Sequence, residues 1–353
     1  SLATQALTNP PSTAVLAPPD VPAHAAAAAS FVLRGAGPQT ADRPPDEAAL
    51  RARIDGGRSA WIFQTWARLR QAGLSLPLSP ELPDAGFAVL HSDDFAHFDR
   101  RRLPSRLWTI VCRADRPPSW RADFEIVQNP LQADNRRTFY VHHWPQPGLL
   151  PRDPTRGATL RNVAYFGMFK QLPPALQSPE WAQRLRPLGL DWLTPGGASP
   201  GAPLDQRHIH AYRTADVVVA LRDPRRTVAD HKPPTKLLNA WLVGVPAIVG
   251  PESAYRALRT DALDFIEASD ADAVLAALRR LQADPELYAA MCRRAQARAT
   301  EVTPAAIAER WRQLLTVTIP AQQSRAGLGV AHRLRGLACH GQRLYLRMNR
   351  HRF

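Results

Sequence analysis

The fold of this chain is decided by one stretch, residues 231–250, which reads HKPPTKLLNAWLVGVPAIVG. Its two adjacent prolines prevent a helix before Thr235, whose hydroxyl is expected to accept a backbone N–H as the N-cap. The apolar residues that follow recur at helical spacing and predict a helix over residues 235–243. The apolar run at residues 246–249 then predicts a buried strand. A loop, a short helix and a buried strand in this order are typical of an α/β sheet.

Positive charge collects at the start of this predicted helix. Lys236 and Asn239 lie three residues apart on one face, and because Cβ bonds tilt toward the helix N-terminus, both side chains are expected to lean into the mouth of a site. Lys232 lies in the loop immediately before the helix. Two lysines, free N–H groups and the positive end of the helix dipole suit a diphosphate. We therefore expect Lys232, Thr235 and Lys236 to hold one.

Lysine is scarce in this chain, so its positions are informative. Of the 45 basic residues only three are lysines, and two of them lie in the stretch above. The third, Lys170, follows Gly167, which lies in a turn after another predicted strand. A helix followed by Gly-x-Pro and a strand is also an ordinary connection in α/β proteins. The clustering of lysines favours phosphate binding over that simpler interpretation.

Length and composition limit the class of protein. The 353 residues are 45% hydrophobic and 22% charged, which is enough apolar material for two domains. Three cysteines, far apart in the sequence, exclude a disulfide framework and a Cys-x-x-Cys metal site, and they favour a cytoplasmic protein. We expect neither a transmembrane helix nor a signal peptide.

The formal net charge of +14 is unevenly distributed along the chain. Residues 321–353 hold seven arginines and no acid, so half of the excess charge lies in a tail outside the predicted folded body. This distribution argues against a nucleic-acid-binding domain, and we expect no nucleic-acid partner. The tail mixes arginine with leucine, and it is expected either to be solvated or to lie on an anionic membrane surface.

Apolar and polar segments alternate along most of the chain, and this alternation predicts two α/β units. In the first half we predict a helix at residues 58–71 and strands at 86–90, 107–112, 124–127 and 138–141. In the second half we predict strands at residues 162–167, 190–193, 216–221 and 263–267 and helices at 178–185 and 206–212. A turn-rich segment at residues 142–154 separates the halves. The predicted parts are an Ala/Pro-rich linker (1–30), two Rossmann-like domains (31–145 and 146–320) and the basic tail (321–353).

The central stretch resembles the donor-nucleotide motif of glycosyltransferases with the GT-B fold, in which two Rossmann-like domains face each other across a cleft. The family pattern is Lys-Leu-x-Glu, three or four residues, and then Gly-x-Pro-Val-Ile. Here Lys236-Leu237-Leu238-Asn239 and Gly244-Val245-Pro246-Ala247-Ile248 occupy those positions. Many relatives carry a further Glu eight residues earlier, where this chain has His231. In the family the paired acids hold hydroxyl groups of the donor, so the resemblance implies that role for His231 and Asn239.

The resemblance spans residues 58–315 and implies that the first domain faces the acceptor and the second binds a nucleotide-sugar donor. Further donor-site residues are expected after the strands of the second domain, because ligands of such sheets bind at the carboxyl ends of strands. Gly167, Arg222, Glu252 and Ser253 all lie after predicted strands. Glu252 and Ser253 are expected to contact the donor sugar, although Ser253 is equally suited to cap a helix.

A proton acceptor for the reaction is expected after the strand at residues 86–90. His91, Asp93 or Asp94 could take a proton from an acceptor hydroxyl, and the alternative is that these residues only cap a helix. The sequence Asp270-Ala271-Asp272 is similar to a metal-binding Asp-x-Asp, but its place at the start of an amphipathic helix favours N-capping. We therefore expect no metal ion and no cofactor.

These features predict a metal-independent glycosyltransferase of polysaccharide biosynthesis, which transfers a sugar from a nucleotide sugar to a glycan, a lipid-linked molecule or another hydroxyl acceptor. The alternative is a non-catalytic member of the fold that binds a nucleotide or a sugar and supports a partner, because the paired acids are replaced. We expect either protein to be cytoplasmic, and a basic tail that lies on an anionic membrane would place it at the inner face of that membrane.

Overall fold

The computed structural model describes residues 29–36, 44–98, 103–119, 121–195, 211–223, 225 and 229–326. They form two parallel β-sheets flanked by helices, one of six strands and one of five. The predicted α/β fold with two Rossmann-like domains is therefore confirmed. Among these residues, no helix is both long enough and apolar enough to span a bilayer.

The first sheet has the strand order β2-β1-β3-β4-β5-β6, and all its strands are parallel. Its strands are β1 (Ala29–Val32), β2 (Leu78–Ser79), β3 (Ala85–His91), β4 (Arg106–Cys112), β5 (Phe124–Val127) and β6 (Thr138–Tyr140). The four strands predicted in this half are confirmed. The strand order reverses between β1 and β3, and open α/β sheets bind ligands at such a switch point, outside the carboxyl ends of the strands.

The second sheet has the order β11-β10-β9-β7-β8 and is also parallel throughout. Its strands are β7 (Asn162–Ala164), β8 (Asp191–Leu193), β9 (Val217–Ala220), β10 (Ala247–Val249) and β11 (Ile266–Glu267). The strands predicted here are confirmed, with shorter bounds. The switch point of this sheet lies between β7 and β9.

The helices that precede strand β11 in the sequence are short, and most of those that follow it are longer. They are α1 (Glu47–Arg53), α2 (Gln64–Gln71), α3 (Ser92–Phe95), α4 (Pro174–Gln177), α5 (Pro179–Leu185), α6 (Thr235–Val243), α7 (Ser253–Leu258), α8 (Ala271–Ala283), α9 (Pro285–Ala299), α10 (Pro304–Gln313) and α11 (Ile319–Ala326). A π-helical turn, Ser59–Phe63, leads into α2. Residues 206–210 of one predicted helix lie outside the described residues, and residues 211–214 are helical.

Helix α6 has the bounds that the sequence predicts, but its N-cap is not the predicted one. Pro234 is the N-cap, and no side chain makes a capping hydrogen bond. The two prolines fix the turn one residue earlier than expected, so Thr235 is already the first helical residue. The prediction that its hydroxyl caps the helix is wrong.

Two predicted boundaries also differ from the structure. Strand β1 begins at Ala29, inside the predicted linker, because its pairing with β3 outweighs the low strand propensity of alanine. Helix α11 extends six residues into the predicted tail. The rest of both segments, residues 1–28 and 327–353, lies outside the described residues.

The last helices return to the first domain. Ile307, Trp311 and Leu314 belong to the buried core that also contains Phe31 of β1 and Trp61 of the π-helical turn. The Trp311 and Phe31 rings lie 6.4 Å apart between centroids. Burial of such large side chains removes much apolar surface from water, and it holds helix α10 against the first sheet.

The segment between the two sheets is anchored by one buried carboxylate. Asp216, which precedes β9, is 0% exposed and forms ion pairs of 2.6 Å with both Arg152 and Arg156. It also accepts the backbone N–H groups of Arg161 and Asn162. Burial raises the pKa of this carboxyl, but the hydrogen bonds from Arg156 and the backbone outweigh burial and hold the pKa below its usual value. Asp216 is therefore ionised, and it links the segment between the two sheets to the second sheet.

Candidate functional site

The carboxyl ends of the two sheets meet across a cleft, and side chains of the first domain hold a loop of the second. Gln128, which follows β5, donates to the carbonyl of His231 at 2.7 Å. Asn129 donates to Ser253 Oγ at 2.9 Å. Lys232 Nζ lies 2.5 Å from Asp115 Oδ2, after β4. His231, Lys232 and Ser253 therefore lie at a domain interface.

Lys236 lies at the switch point of the second sheet, beside the turn that follows β7. Its side chain is 8% exposed, and Nζ lies 5.4 Å from the centroid of the Tyr165 ring, a cation–π distance. Within the described ranges, its ammonium has no hydrogen-bond or ion-pair partner. Burial lowers the pKa of Lys236 well below its usual value, and the charge of Arg222 lowers it further. Because burial disfavours the charged form, an anionic ligand beside Lys236 would stabilise its ammonium.

Gly167 gives Lys236 the room that it occupies. A Cβ at residue 167 would lie 2.6 Å from Tyr165 Oη and 2.9 Å from Lys236 Cε. Any side chain at this position would therefore force both side chains to shift. The predicted participation of Gly167 thus has a steric basis, which is the close packing of the turn against Lys236.

Arg222 and Glu252 form a buried ion pair beside Lys236. Each side chain is 7% exposed, and the guanidinium of Arg222 contacts Glu252 Oε2. Burial raises the pKa of Glu252, although the charges of Arg222 and Lys236 oppose it. When all three groups are charged, they bring two cations and one carboxylate together in little solvent, and a further anion would balance the excess positive charge.

Two buried side-chain oxygens near Lys236 have no hydrogen-bond partner in the described part of the chain. They are Thr235 Oγ1 and Glu252 Oε1. Buried polar groups are almost always hydrogen-bonded, because burial without a partner costs free energy. An unpartnered cluster of this kind indicates a place where a ligand supplies the missing bonds.

The two residues that replace the family's paired acids have different surroundings. Asn239 is 1% exposed and donates to Tyr212 Oη at 3.1 Å, so it faces the core rather than the mouth of the site as predicted. His231 Nδ1 lies 3.0 Å from Gln132 Nε2 and 3.4 Å from Arg113 Nη2, both of the first domain. Burial and the charge of Arg113 lower the pKa of His231, so the ring is neutral near pH 7.

Ser253 does not cap α7, whose N-cap is Glu252 without a side-chain hydrogen bond. Its hydroxyl donates to Asp230 Oδ1 at 2.5 Å and accepts from Asn129. The capping alternative for Ser253 is therefore wrong. This serine connects the two domains instead.

In the first domain, His91 and Asp94 lie at the switch point of the sheet. His91 is 2% exposed and caps α3, since its Nδ1 accepts the N–H of Asp93 at 3.0 Å. Burial lowers the pKa of His91, and the neutral ring must carry its proton on Nε2 because Nδ1 accepts. Asp94 is 1% exposed and ion-pairs with Arg58 at 2.7 Å. The capping alternative is confirmed for His91, and Asp94 is engaged with Arg58.

Asp93 is the most exposed of the three predicted proton acceptors, with 38% of its side chain exposed. Arg116 binds both of its oxygens, at 2.7 and 2.9 Å. Burial raises the pKa of Asp93, but the hydrogen bonds from Arg116 outweigh burial and hold the pKa below its usual value. Asp93 is therefore ionised and open to the cleft, and the choice among the three as base stays a prediction.

Sequence reasoning missed the first-domain residues that contact the loop carrying His231 and Lys232: Arg113, Asp115, Gln128, Asn129 and Gln132. They follow β4 and β5, two strands that the sequence predicts correctly. The rule that sites lie after strands would have identified these loops. Which loops face the second domain depends on the strand order, which the sequence did not give.

The Asp-x-Asp sequence has the structural role predicted for it. Asp270 Oδ1 accepts the N–H of Ala273 at 2.8 Å and caps α8. No group of three His, Cys, Asp or Glu side chains arranged to hold a metal ion occurs among the residues that the structure describes. Metal independence stays a prediction.

A Gly167→Ala substitution is expected to weaken nucleotide binding about tenfold with little change in Tm, since a displaced Lys236 loses roughly one charged hydrogen bond. The atoms nearest to the new Cβ are ends of side chains, so the fold can adapt. Isothermal titration with a nucleoside diphosphate measures the effect. Gly56→Ala, where a Cβ would meet no atom within 4 Å, is the control. Equal affinity of G167A and wild type would contradict the prediction.

The second domain is similar to a known family of proteins. Residues 169–316 match the family model described as glycosyl transferase-like. The structure is similar to sucrose-phosphate synthase from Thermosynechococcus elongatus, with a TM-score of 0.51 and 14% identity over 83% of this chain and 99% of that one. It is also similar to the Anabaena protein HepE in complex with UDP and glucose, with a TM-score of 0.50 and 11% identity over 82% of this chain and 100% of that one. No curated protein matches the sequence.

These similarities confirm two predictions. The chain has the GT-B fold, and its second domain resembles that of glycosyltransferases, as the central motif predicts.

Proposed function

We propose that this chain, a GT-B protein whose second domain is glycosyl transferase-like, transfers a sugar from a nucleotide-sugar donor to a hydroxyl acceptor. The observation that carries the proposal is the cluster of buried polar groups at the switch point of the second sheet. In the described part of the chain, the Lys236 ammonium there has no ion-pair partner, and the oxygens Thr235 Oγ1 and Glu252 Oε1 have no hydrogen-bond partner. The UDP and glucose bound by the structurally similar HepE support a nucleotide sugar as the ligand.

In the proposed reaction, the diphosphate binds at the N-terminus of α6. Lys236 and Lys232 contact its oxygens as cations, and Thr235 Oγ1 and the first N–H groups of the helix donate to it. Negative charge develops on the diphosphate as the sugar leaves, and fixed cations and dipoles stabilise that charge. These cations would take the place of a metal ion, so we propose metal-independent transfer.

Hydroxyl groups of the donor would bind next to the phosphate site. Glu252 Oε1 is free to accept from a hydroxyl, and Arg222 holds the carboxylate in place. His231, neutral near pH 7, would contribute a further hydrogen bond. On the opposite wall of the cleft, Asp93 would receive the proton of the acceptor if the reaction inverts the sugar. We propose a glycan or a lipid-linked molecule as the acceptor, and a cytoplasmic enzyme at the inner face of the membrane.

One observation favours a second candidate, a non-catalytic GT-B protein that binds a nucleotide or a sugar and supports a partner. Asn239, at the position of a family acid, faces the buried Tyr212. The contact that the acid makes in the family is therefore not replaced by its counterpart here. Such a protein would bind the nucleotide without turning over any donor.

The test is release of nucleoside diphosphate from a panel of nucleotide sugars, with and without candidate acceptors. We expect turnover of at least one donor and about a tenfold loss in Thr235→Val, which removes one hydrogen bond to the diphosphate. Val keeps the volume of Thr, so Tm should be unchanged or higher. Serine at this position keeps the hydroxyl and serves as the control. Binding without turnover across the panel would favour the second candidate, and no binding would contradict both.

A further inference from the structure

The turn after β4, residues 113–116, crosses the cleft with a strained backbone. Ala114 has φ of +51° although it is not glycine, and it is 7% exposed. Side chains with a Cβ seldom adopt this left-handed conformation, and it persists where surrounding contacts determine it. Here the conformation places Arg113 on one side of Ala114 and Asp115 on the other, and each contacts the loop that carries His231 and Lys232.

Asp115 occupies the space beside a proposed phosphate ligand. Its Oδ2 lies 2.5 Å from Lys232 Nζ, and its Oδ1 lies 3.2 Å from Arg116 Nη1. The side chains of Lys232 and Asp115 are 24% and 34% exposed, so both remain accessible from the cleft. A donor oxygen that approaches Lys232 therefore meets the negative charge of Asp115 at the same point.

We propose that Asp115 is a specificity-determining residue, which weakens binding of the nucleoside diphosphate product relative to the nucleotide sugar. The proposal rests on the proposed function. In a nucleotide sugar, both phosphates are diesterified and each carries a single charge. In the product, the terminal phosphate is free and its second ionisation lies near pH 6, so it carries additional negative charge at pH 7.5. A fixed carboxylate repels the more charged product more strongly.

The carboxylate is present throughout the neutral range. Burial raises the pKa of Asp115, but the hydrogen bond and charge of Lys232 outweigh burial and hold the pKa below its usual value. Arg116 neutralises part of its charge but is itself shared with Asp93. The consequence for the reaction is faster departure of the product, a step that limits turnover in many enzymes.

The proposal is tested by titration calorimetry of Asp115→Asn with UDP and UDP-glucose at pH 7.5, and with GDP and GDP-mannose as a second pair. The comparison is made with the pair that wild type binds. For that pair, we expect D115N to bind the diphosphate about fivefold more tightly than wild type does, the size of one exposed charge interaction. We expect D115N to bind the nucleotide sugar less than about twofold more tightly. The inhibition constant of the diphosphate product should fall about fivefold as well. Asp84→Asn, an exposed carboxylate at the amino end of β3, is expected to change neither affinity.

Two further comparisons keep the result interpretable. Asp115→Ser removes the charge with a different side chain, and it should reproduce the effect if D115N lowers Tm. The double variant of Asp115→Asn and Lys232→Met should bind the diphosphate more tightly than Lys232→Met alone does, because the repulsion does not depend on the lysine. Equal changes in both affinities, or weaker binding of the diphosphate, would overturn the proposal. If wild type binds none of the four nucleotides, the proposed function fails with it, which distinguishes the two outcomes.

Discussion

Replacement of Lys236 by methionine is expected to reduce nucleotide-sugar turnover at least about 100-fold, since a charged contact to the leaving diphosphate is lost. The same variant should raise the Tm of the ligand-free protein by about 2–4 °C, the shift expected for about 1 kcal/mol in a domain of this size. The reason is that Lys236 is 8% exposed without an ion-pair partner in the described chain, whereas methionine has a similar shape and no charge to desolvate. Activity and stability should therefore change in opposite directions.

The pH dependence of stability gives an independent check on Lys236. Its pKa in the folded protein is lowered by burial, so between that value and the ordinary lysine pKa the unfolded chain binds more protons. In this window stability rises with pH, and the destabilisation is fully present below the folded pKa. Lys236→Met should flatten the rise. Lys236→Arg, which keeps a cation, should retain part of the nucleotide affinity and gain no stability. A Tm for K236M below that of wild type would contradict this account.

Asp216→Asn is expected to destabilise the second domain by about 3–5 kcal/mol, the usual cost of removing one partner from a buried ion pair. The carboxylate is 0% exposed and binds Arg152 and Arg156, so the substitution leaves two guanidinium groups with an uncharged partner. The surface pair of Asp191 and Arg161 provides the control, because side chains that are 52% and 64% exposed contribute little when paired. Urea denaturation of D216N and D191N at pH 7 measures both effects.

The acid sensitivity of the protein should change in D216N as well. The pKa of Asp216 is below its usual value in the folded state, so the unfolded chain binds more protons as the pH falls. The stability that this carboxylate contributes is present above the ordinary aspartate pKa and is lost as the pH falls through the folded pKa. D216N should therefore lose less stability than wild type between pH 5 and pH 3. Similar midpoints for D216N and D191N at pH 7 would refute the proposed anchor.

The sequence predicted local elements well wherever a strong local signal was present. Helix α6 was predicted with its bounds because two prolines prevent a helix before Thr235 and apolar residues then recur at helical spacing. Strand β1 was missed because it begins in an alanine run that shows no period, and its stability comes from pairing with β3. The failed N-cap at Thr235 has a similar origin, since a shift of one residue in a turn changes a side chain's partner.

The candidate site was predictable in its composition but not in its contacts. The motif and the scarcity of lysine were sufficient to select Lys232 and Lys236. The partner of Lys232 is Asp115, which is 117 residues away in sequence, and no local pattern connects them. For Asn239 the local pattern was misleading. Its helical face suggested the mouth of the site, whereas in the folded protein its side chain contacts Tyr212.

The sequence by itself determined the α/β class, the elements around the switch point of the second sheet and the resemblance to GT-B glycosyltransferases. These follow from propensity, periodicity and a motif, which depend on residues a few positions apart. Only the tertiary structure decided that His91 and Asp94 lie at the switch point of the first sheet, that Lys236 lacks an ionic partner among the described residues, and that Asp115 faces Lys232. Strand order and domain packing bring together residues that are distant in sequence. Both are determined by the free energies of burial and strand pairing between distant segments, which no local pattern contains.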